Sequence, residues 1–365
     1  MLPTKLGIYD YFTDETSPLL FNGVPLLMES IVWDSPEHAG HWLPAFNSSA
    51  TCASYFRVRN VATNAVLANV SASCNHAFGF GLVLPGEGEG GGDLIQLWGT
   101  PWNRQQALPP SSARRRRRGR VGWSGPCDTP GNCTVNAFSS SDLVNWAAAV
   151  PAATPRYAVY NTDVAPVAAP STPAAAARAA AAGLPPMRWI MALEDGPSGS
   201  FAYSNDVAPT NNGSWTFLDP AVYNLGHPGQ PGQVGSCPSV RYDPSSGYFY
   251  VLTGGYVIFV LRSTDLRGPW ELAATPLLSP DAADCALAPP AWGGGYSPSP
   301  VAAAHLATCT ATGFGNDSDV DMTELVVDGV LSTLWQYGSG DQKSFGFSNY
   351  ALSNASLFTV LGSFF

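Results

Sequence analysis

Ser140-Ser141-Asp142-Leu143-Val144-Asn145-Trp146 and Ser263-Thr264-Asp265-Leu266-Arg267-Gly268-Pro269-Trp270 are two copies of one pattern: Ser-x-Asp-Leu, then Trp within a few residues. A looser relative, Ser204-Asn205-Asp206, is followed by Trp215. A unit that recurs at wide intervals constrains the fold more than any local propensity, because each copy must build the same small element. The chemistry is that of a turn at the outer edge of a sheet. The Asp carboxylate accepts from backbone N–H groups of the turn, and the Trp folds back over the edge. A second recurring unit is a strand, a tight turn and an aromatic or apolar strand, at 18–28, 238–250 and 322–335.

Period-2 alternation fills the rest of the chain. Leu19–Leu27, Tyr55–Val61, Ala77–Leu84, Leu94–Trp98, Asn132–Phe138, Met187–Leu193, Ser200–Ser204, Val240–Tyr242, Tyr248–Leu252, Val257–Ser263, Glu324–Val327 and Leu331–Tyr337 read as strands. Asn22-Gly23, the 243–247 segment and Asp328-Gly329 are hairpin signals. Gly (37) and Pro (32) are frequent enough for many short strands joined by turns. Blade-like units fall near 10–60, 61–146, 157–217, 233–273 and 310–362. Five such units predict an all-β fold, a single five-bladed β-propeller over 1–365. One open sheet of that size would curl or expose its edges. Two low-complexity segments, 104–125 with its arginine run and 165–186 with its Ala and Pro, read as mobile surface insertions. A 3.6-residue apolar period occurs only in the Ala-rich stretch near 174–182.

The formal charge is −10, and six of the 17 basic residues sit at Arg114–Arg118 and Arg120. A nucleic-acid binder needs a basic face across its fold, and this chain has one basic loop, so that class is excluded. The loop reads either as a solvated segment or as a contact for acidic glycans. No apolar run is long enough to span a bilayer, and the first residues, Met-Leu-Pro-Thr-Lys-Leu, do not read as a signal peptide. Six N-x-S/T sequons, at Asn47, Asn69, Asn132, Asn212, Asn316 and Asn354, predict N-glycans. The seven cysteines include no C-x-x-C pair, so disulfides in a secreted, extracellular protein fit better than zinc. Cys127 with Cys133 could close a small loop, and Cys52 with Cys74 could bridge a hairpin.

The Ser-x-Asp-Leu turns at 140–146 and 263–270 resemble those of the five-bladed propeller glycoside hydrolases of families 43 and 32. The resemblance implies a funnel-shaped site at the propeller axis, an oligo- or polysaccharide ligand, no cofactor, and three acids: an Asp base or nucleophile, an Asp that orients the sugar, and a Glu acid. Two carboxylates flanking a glycosidic bond are what hydrolysis through an oxocarbenium-like state needs. Carried over by position, the third blade's Asp matches Asp163 in Tyr160-Asn161-Thr162-Asp163-Val164. The first blade's acid falls on Ser17, with Asp14 nearby out of register, and the fourth blade's Glu falls on Ser236. Ser cannot replace a raised-pKa Glu as a proton donor. The alternative is therefore a non-catalytic, lectin-like or structural extracellular glycoprotein.

Further candidates come from the residues themselves. Asp319, Asp321 and Glu324 form the densest acid cluster, and alternation puts the two Asp residues on one strand face. They read as a proton-sharing pair, a sugar clamp, a Ca²⁺ site without EF-hand spacing, or turn caps. Asn161, His76, Asp341 and Trp335 are candidate sugar contacts. Each also has a plain reading as packing or turn residue. Trp98, Trp102 and Trp292 are better read as packing, and Glu194 as a rim residue.

Overall fold

The computed structural model describes residues 4–9, 15–32, 54–60, 63, 65–101, 134–155, 162–195, 198–218, 238–254, 258–277, 317–319, 325–327, 330–338, 347–353 and 355–365. Its strands assemble into five antiparallel sheets, four of four strands and one of five.

The first blade is β2 (Glu15–Phe21), β3 (Val24–Val32), β4 (Ser54–Asn60) and β5 (Val66–Val70). The second is β6 (His76–Leu84), β7 (Leu94–Pro101), β8 (Val135–Ser140) and β9 (Val150–Ala153). The third is β10 (Thr162–Pro166), β11 (Trp189–Asp195), β12 (Ser198–Ser204) and β13 (Thr216–Phe217). The fourth is β14 (Ser239–Asp243), β15 (Tyr248–Gly254), β16 (Ile258–Ser263) and β17 (Glu271–Leu272). In the fifth, β18 (Asp317–Asp319) and β19 (Leu325–Val327) both pair with β20 (Val330–Gly338), followed by β21 (Phe347–Ser353). Its outermost strand is β1 (Thr4–Tyr9), paired with β21. The first strand of the chain thus completes the last blade, which closes the ring of a five-bladed propeller.

The sequence ends the first two blades too early, while the third and fourth end at Phe217 and Leu272, where the units at 157–217 and 233–273 put them. The Ser-x-Asp-Leu turn of the second blade does not end it: β9 follows the turn, and β5 belongs to the first blade. The outermost strands are two to six residues long, too short for alternation to register. The turns themselves have the expected chemistry. Asp142 Oδ1 accepts from Val144 N (2.8 Å) and Asn145 N (2.7 Å), and Trp146 Nε1 donates to Leu143 O (3.1 Å). Asp206 Oδ1 accepts from Ala208 N (3.2 Å), with Trp215 Nε1 on Pro209 O (3.0 Å). Asp265 Oδ1 accepts from Arg267 N (2.8 Å). There the extra residue before Trp270 changes the geometry, and its buried indole N–H has no acceptor among the described residues.

The core lies between blades. Leu19, Phe21, Leu26, Met28 and Val58 of the first blade pack on Ile95, Leu97 and Phe138 of the second. Phe56 fits there because Gly79 and Gly99 leave room: a Cβ on either would collide with its ring. Trp98 meets Trp215 of the third blade edge-to-face at 6.5 Å. Trp98 is fully buried, so its plain reading as packing holds.

The 104–125 insertion lies outside the described residues. The 165–186 segment is not a bare loop: it ends β10 and holds the helix α1 (Pro173–Ala181). Thr172 Oγ1 accepts from Ala175 N (3.1 Å), a side-chain N-cap. The same hydroxyl donates to Ser245 O (2.8 Å), and Arg178 Nη1 donates to Ser246 O (2.7 Å), both on the β14–β15 hairpin. Low complexity suggested mobility; capping and docking on the fourth blade override it. A second helix, α2 (Leu357–Gly362), buries Leu357, Val360 and Leu361, and Tyr250 of β15 faces Phe358 at 6.3 Å. Among the described residues no helix is long and apolar enough to cross a membrane.

Candidate functional site

The innermost strands β2, β6, β10 and β14 run side by side with their starts at one end. At that end Asp163, second in β10, bonds to the first residues of β14. Midway, Gly81 of β6 lies against Leu19 of β2, where a Cβ would come 2.7 Å from Leu19 Cδ1. At the opposite end Asn22 and Asp93 exchange hydrogen bonds: Asn22 N donates to Asp93 Oδ2 (2.6 Å) and Asp93 N to Asn22 Oδ1 (3.0 Å). The starts of these strands therefore gather residues from successive blades around the axis.

Asp163 is 7% exposed. Its Oδ2 accepts from Ser239 Oγ (3.0 Å), Val240 N (2.9 Å) and Arg241 Nη1 (2.5 Å). Arg241 also donates to Val240 O (2.7 Å). The carboxylate of Asp163 is met by a guanidinium and two neutral donors. Oδ1 carries no hydrogen bond among the described residues. Beside it, Thr162 Oγ1 is buried with no partner among the described residues, as is Ser17 Oγ of the first blade. Thr162 shares a strand face with Val164, which packs toward the second blade, and Ser17 shares one with Leu19 and Phe21, which also pack toward it. Two buried hydroxyls thus flank β6, one from each side.

His76 opens β6 and is held at both nitrogens. Nδ1 lies 3.0 Å from Cys74 O, and Nε2 lies 2.8 Å from Asn136 Nδ2. A carbonyl only accepts and an amide nitrogen only donates, so the proton sits on Nδ1 and Nε2 accepts. The ring meets Phe138 edge-to-face at 4.9 Å. Burial lowers its pKa, against the backbone carbonyls of Cys74 and Ser73, which raise it. Cys74 is disulfide-bonded. A neutral ring with both nitrogens engaged orients neighbours and does not shuttle protons in this state.

Of the other expected site residues, Asp319 ends β18 opposite Gln336, and Trp335 of β20 lies opposite Asn349. Asp14, Asn161, Ser236, Asp321, Glu324 and Asp341 lie outside the described residues. Asp163 and His76 therefore both stand at the same end of inner strands, on different blades. Sequence reading missed Arg241, Ser239 and Asn136. Arg241 had a signal: a cation in the middle of a central strand, Ser-Val-Arg-Tyr-Asp, needs a buried partner. Among the described residues no group of three or more His, Cys, Asp or Glu is placed to hold a metal ion.

A second buried charge group lies further out. Glu29 of β3 accepts from Arg57 Nε (2.5 Å) and Arg59 Nε (3.2 Å) of β4. Burial alone would raise the pKa of Glu29, but the two guanidiniums outweigh it and hold it below its ordinary 4.5. Burial pushes the neighbouring Tyr55 phenol up to about 12.

No protein-family model matches the chain, and no curated protein matches it. Solved structures do resemble it, at low identity. A family 43 glycoside hydrolase from Bacillus licheniformis aligns at 12% identity and TM-score 0.46, over 96% of this chain and 52% of its own, so the chain spans about half of that protein. The catalytic domain of a family 62 α-L-arabinofuranosidase from Coprinopsis cinerea aligns at 12% and 0.46, over 96% and 92%. An α-L-arabinanase from Penicillium chrysogenum, solved with arabinobiose, aligns at 12% and 0.42, over 97% and 98%.

Proposed function

We propose that this propeller binds an oligosaccharide at the end of its axis where the inner strands start, and hydrolyses a glycosidic bond there. The observation that carries the reading is Asp163: a buried carboxylate with Oδ2 taken by three donors and Oδ1 left without one among the described residues. A fixed carboxylate oxygen suits a sugar hydroxyl or an oxocarbenium-like centre. The second carboxylate would come from Asp319, Asp321 or Glu324, or from Asp14; Asn161, His76, Ser236, Asp341 and Trp335 would line the site. The protein would be secreted, with Cys52–Cys74 and Cys127–Cys133 disulfides and glycans on its sequons.

Ser17 favours a second reading, a glycan-binding propeller without hydrolysis. It supplies a buried hydroxyl where the resemblance expects an acid. A screen of arabino-, xylo-, fructo- and galacto-oligosaccharides separates the two. Release that is lost in Asp163→Asn supports hydrolysis, and release that persists unchanged removes Asp163 from the chemistry. Binding without release leaves the second reading, and neither binding nor release overturns both.

A further inference from the structure

Among the described residues, the five outermost strands, β1, β5, β9, β13 and β17, each leave one edge of a sheet unpaired. Unpaired edges invite pairing with another chain unless they are short, irregular, charged or broken by Pro. β13 and β17 are only two residues long. The three longer edges each have a register irregularity: at Lys5/Ile8, at Val58/Arg59 and at Val135/Asn136. Two of them add a second device, Lys5 in β1 and Pro151 in β9.

β5 adds neither. It reads Val-Leu-Ala-Asn-Val, and Val66 and Leu67 are each 43% exposed. What it does carry is Asn69, exposed, in the sequon Asn69-Val70-Ser71. Val66 lies opposite Arg59 and Asn69 opposite Arg57, while Ala68 and Val70 enter the core with the second blade. Asn69 and Val66 therefore share the face of β5 turned away from the second blade, and both are exposed there.

We propose that Asn69 bears an N-linked glycan that covers the outer edge of β5 and keeps it from pairing with a second copy of the chain. The inference rests on the secretory route proposed above. The transfer joins Asn69 Nδ2 to the anomeric carbon of the first sugar. It breaks the sugar–pyrophosphate bond of a lipid-linked donor, and the amide proton leaves with the pyrophosphate. The glycan is bulky and hydrophilic, and, rooted on an exposed face of β5 beside its outer edge, it crowds the approach of a neighbouring strand.

The test is secretion of the full chain from a eukaryotic host behind an added leader, with glycopeptide mapping and size-exclusion chromatography. Asn69 is expected to be occupied and the protein monomeric. Ser71→Ala, which removes the sequon and keeps Asn69, is expected to shift most of the protein from monomer to larger species. Leu67→Lys in the Ser71→Ala background is expected to restore the monomer, because Lys replaces the glycan as an edge device. An empty Asn69 with other sequons filled overturns the inference and leaves the secretory reading standing. An occupied Asn69 whose loss leaves the monomer unchanged, or whose loss Leu67→Lys does not repair, also overturns it. Failure to fill any sequon overturns the secretory reading itself, and the inference with it.

Discussion

Asp163 and Arg241 join the innermost strands of two adjacent blades, with Oδ2 and Nη1 2.5 Å apart and both side chains largely buried. Breaking such a pair from one side costs more than the pair contributes, because the remaining charge stays buried; about 3–5 kcal/mol is usual. Asp163→Ala is therefore expected to lower stability by about that amount in urea unfolding. Asp163→Asn keeps an acceptor for Ser239 Oγ and Val240 N and loses only the charge, so its loss is expected to be clearly smaller. That ordering makes Asn the right substitution for testing glycan chemistry. If Ala and Asn cost the same, the hydrogen bonds to β14 contribute little.

Glu29 sets an acid limit on stability. Its folded pKa lies below the unfolded 4.5, so the stabilisation is fully present above 4.5 and is lost as pH falls through the folded value. Glu29→Gln is expected to lower the melting temperature at pH 7 and to flatten its decline below pH 4.5, since the variant has no proton to take up at this position. Melting curves from pH 7 down to the acid limit check this. A variant whose acid decline is as steep as the parent's would move the acid sensitivity to other carboxylates.

The turns were the most legible part of this fold. Asp142, Asp206 and Asp265 hold their own backbone within a few residues, so spacing alone reveals them. The inner strands were legible too, as runs of five to nine residues bounded by turn residues, although alternation does not show in their burial: β3 and β14 are largely buried on both faces. What did not show is whatever depends on partners distant in sequence. Asp163 and Arg241 are 78 residues apart, and Glu29 and Arg57 are 28 apart. Nothing local marks Arg241 as the partner of Asp163 and not of Asp243, two residues on. The pairing of β1 with β21 was equally invisible, because strand order in a closed ring is settled by which edges remain when the other blades have formed.

His76 is expected to titrate below its ordinary 6.5, because burial disfavours the imidazolium. The folded state then resists a proton that the unfolded state accepts. Stability accordingly falls as pH drops from 6.5 to the folded pKa and levels off below it. Asn136→Ala removes the donor to Nε2, a bond made only to the neutral ring, and is expected to move the titration back up toward 6.5. Ring-proton NMR titration of both proteins measures the shift. An unmoved midpoint would leave burial alone as the cause.

Gly247 decides whether α1 stays seated. It has φ +76°, a left-handed conformation that costs an L residue about 1–2 kcal/mol. It also lies under the helix: a Cβ there would stand 3.0 Å from Ala175 Cα and O. Gly247→Ala therefore meets two penalties at one position, one in the β14–β15 hairpin and one at the helix contact. The hairpin is fixed by Gly247 N donating to Asp243 O (2.8 Å), whereas α1 is held by its bonds to Ser245 and Ser246 and by Arg178 stacked 5.2 Å from the Tyr248 ring. The helix is the part that can yield. Amide exchange over 173–181 is expected to accelerate well beyond any change in the strands of the fourth blade, with about 1–2 kcal/mol of global destabilisation. Equal acceleration in β14 and β15 would mean that the hairpin gives way first and that α1 only follows it.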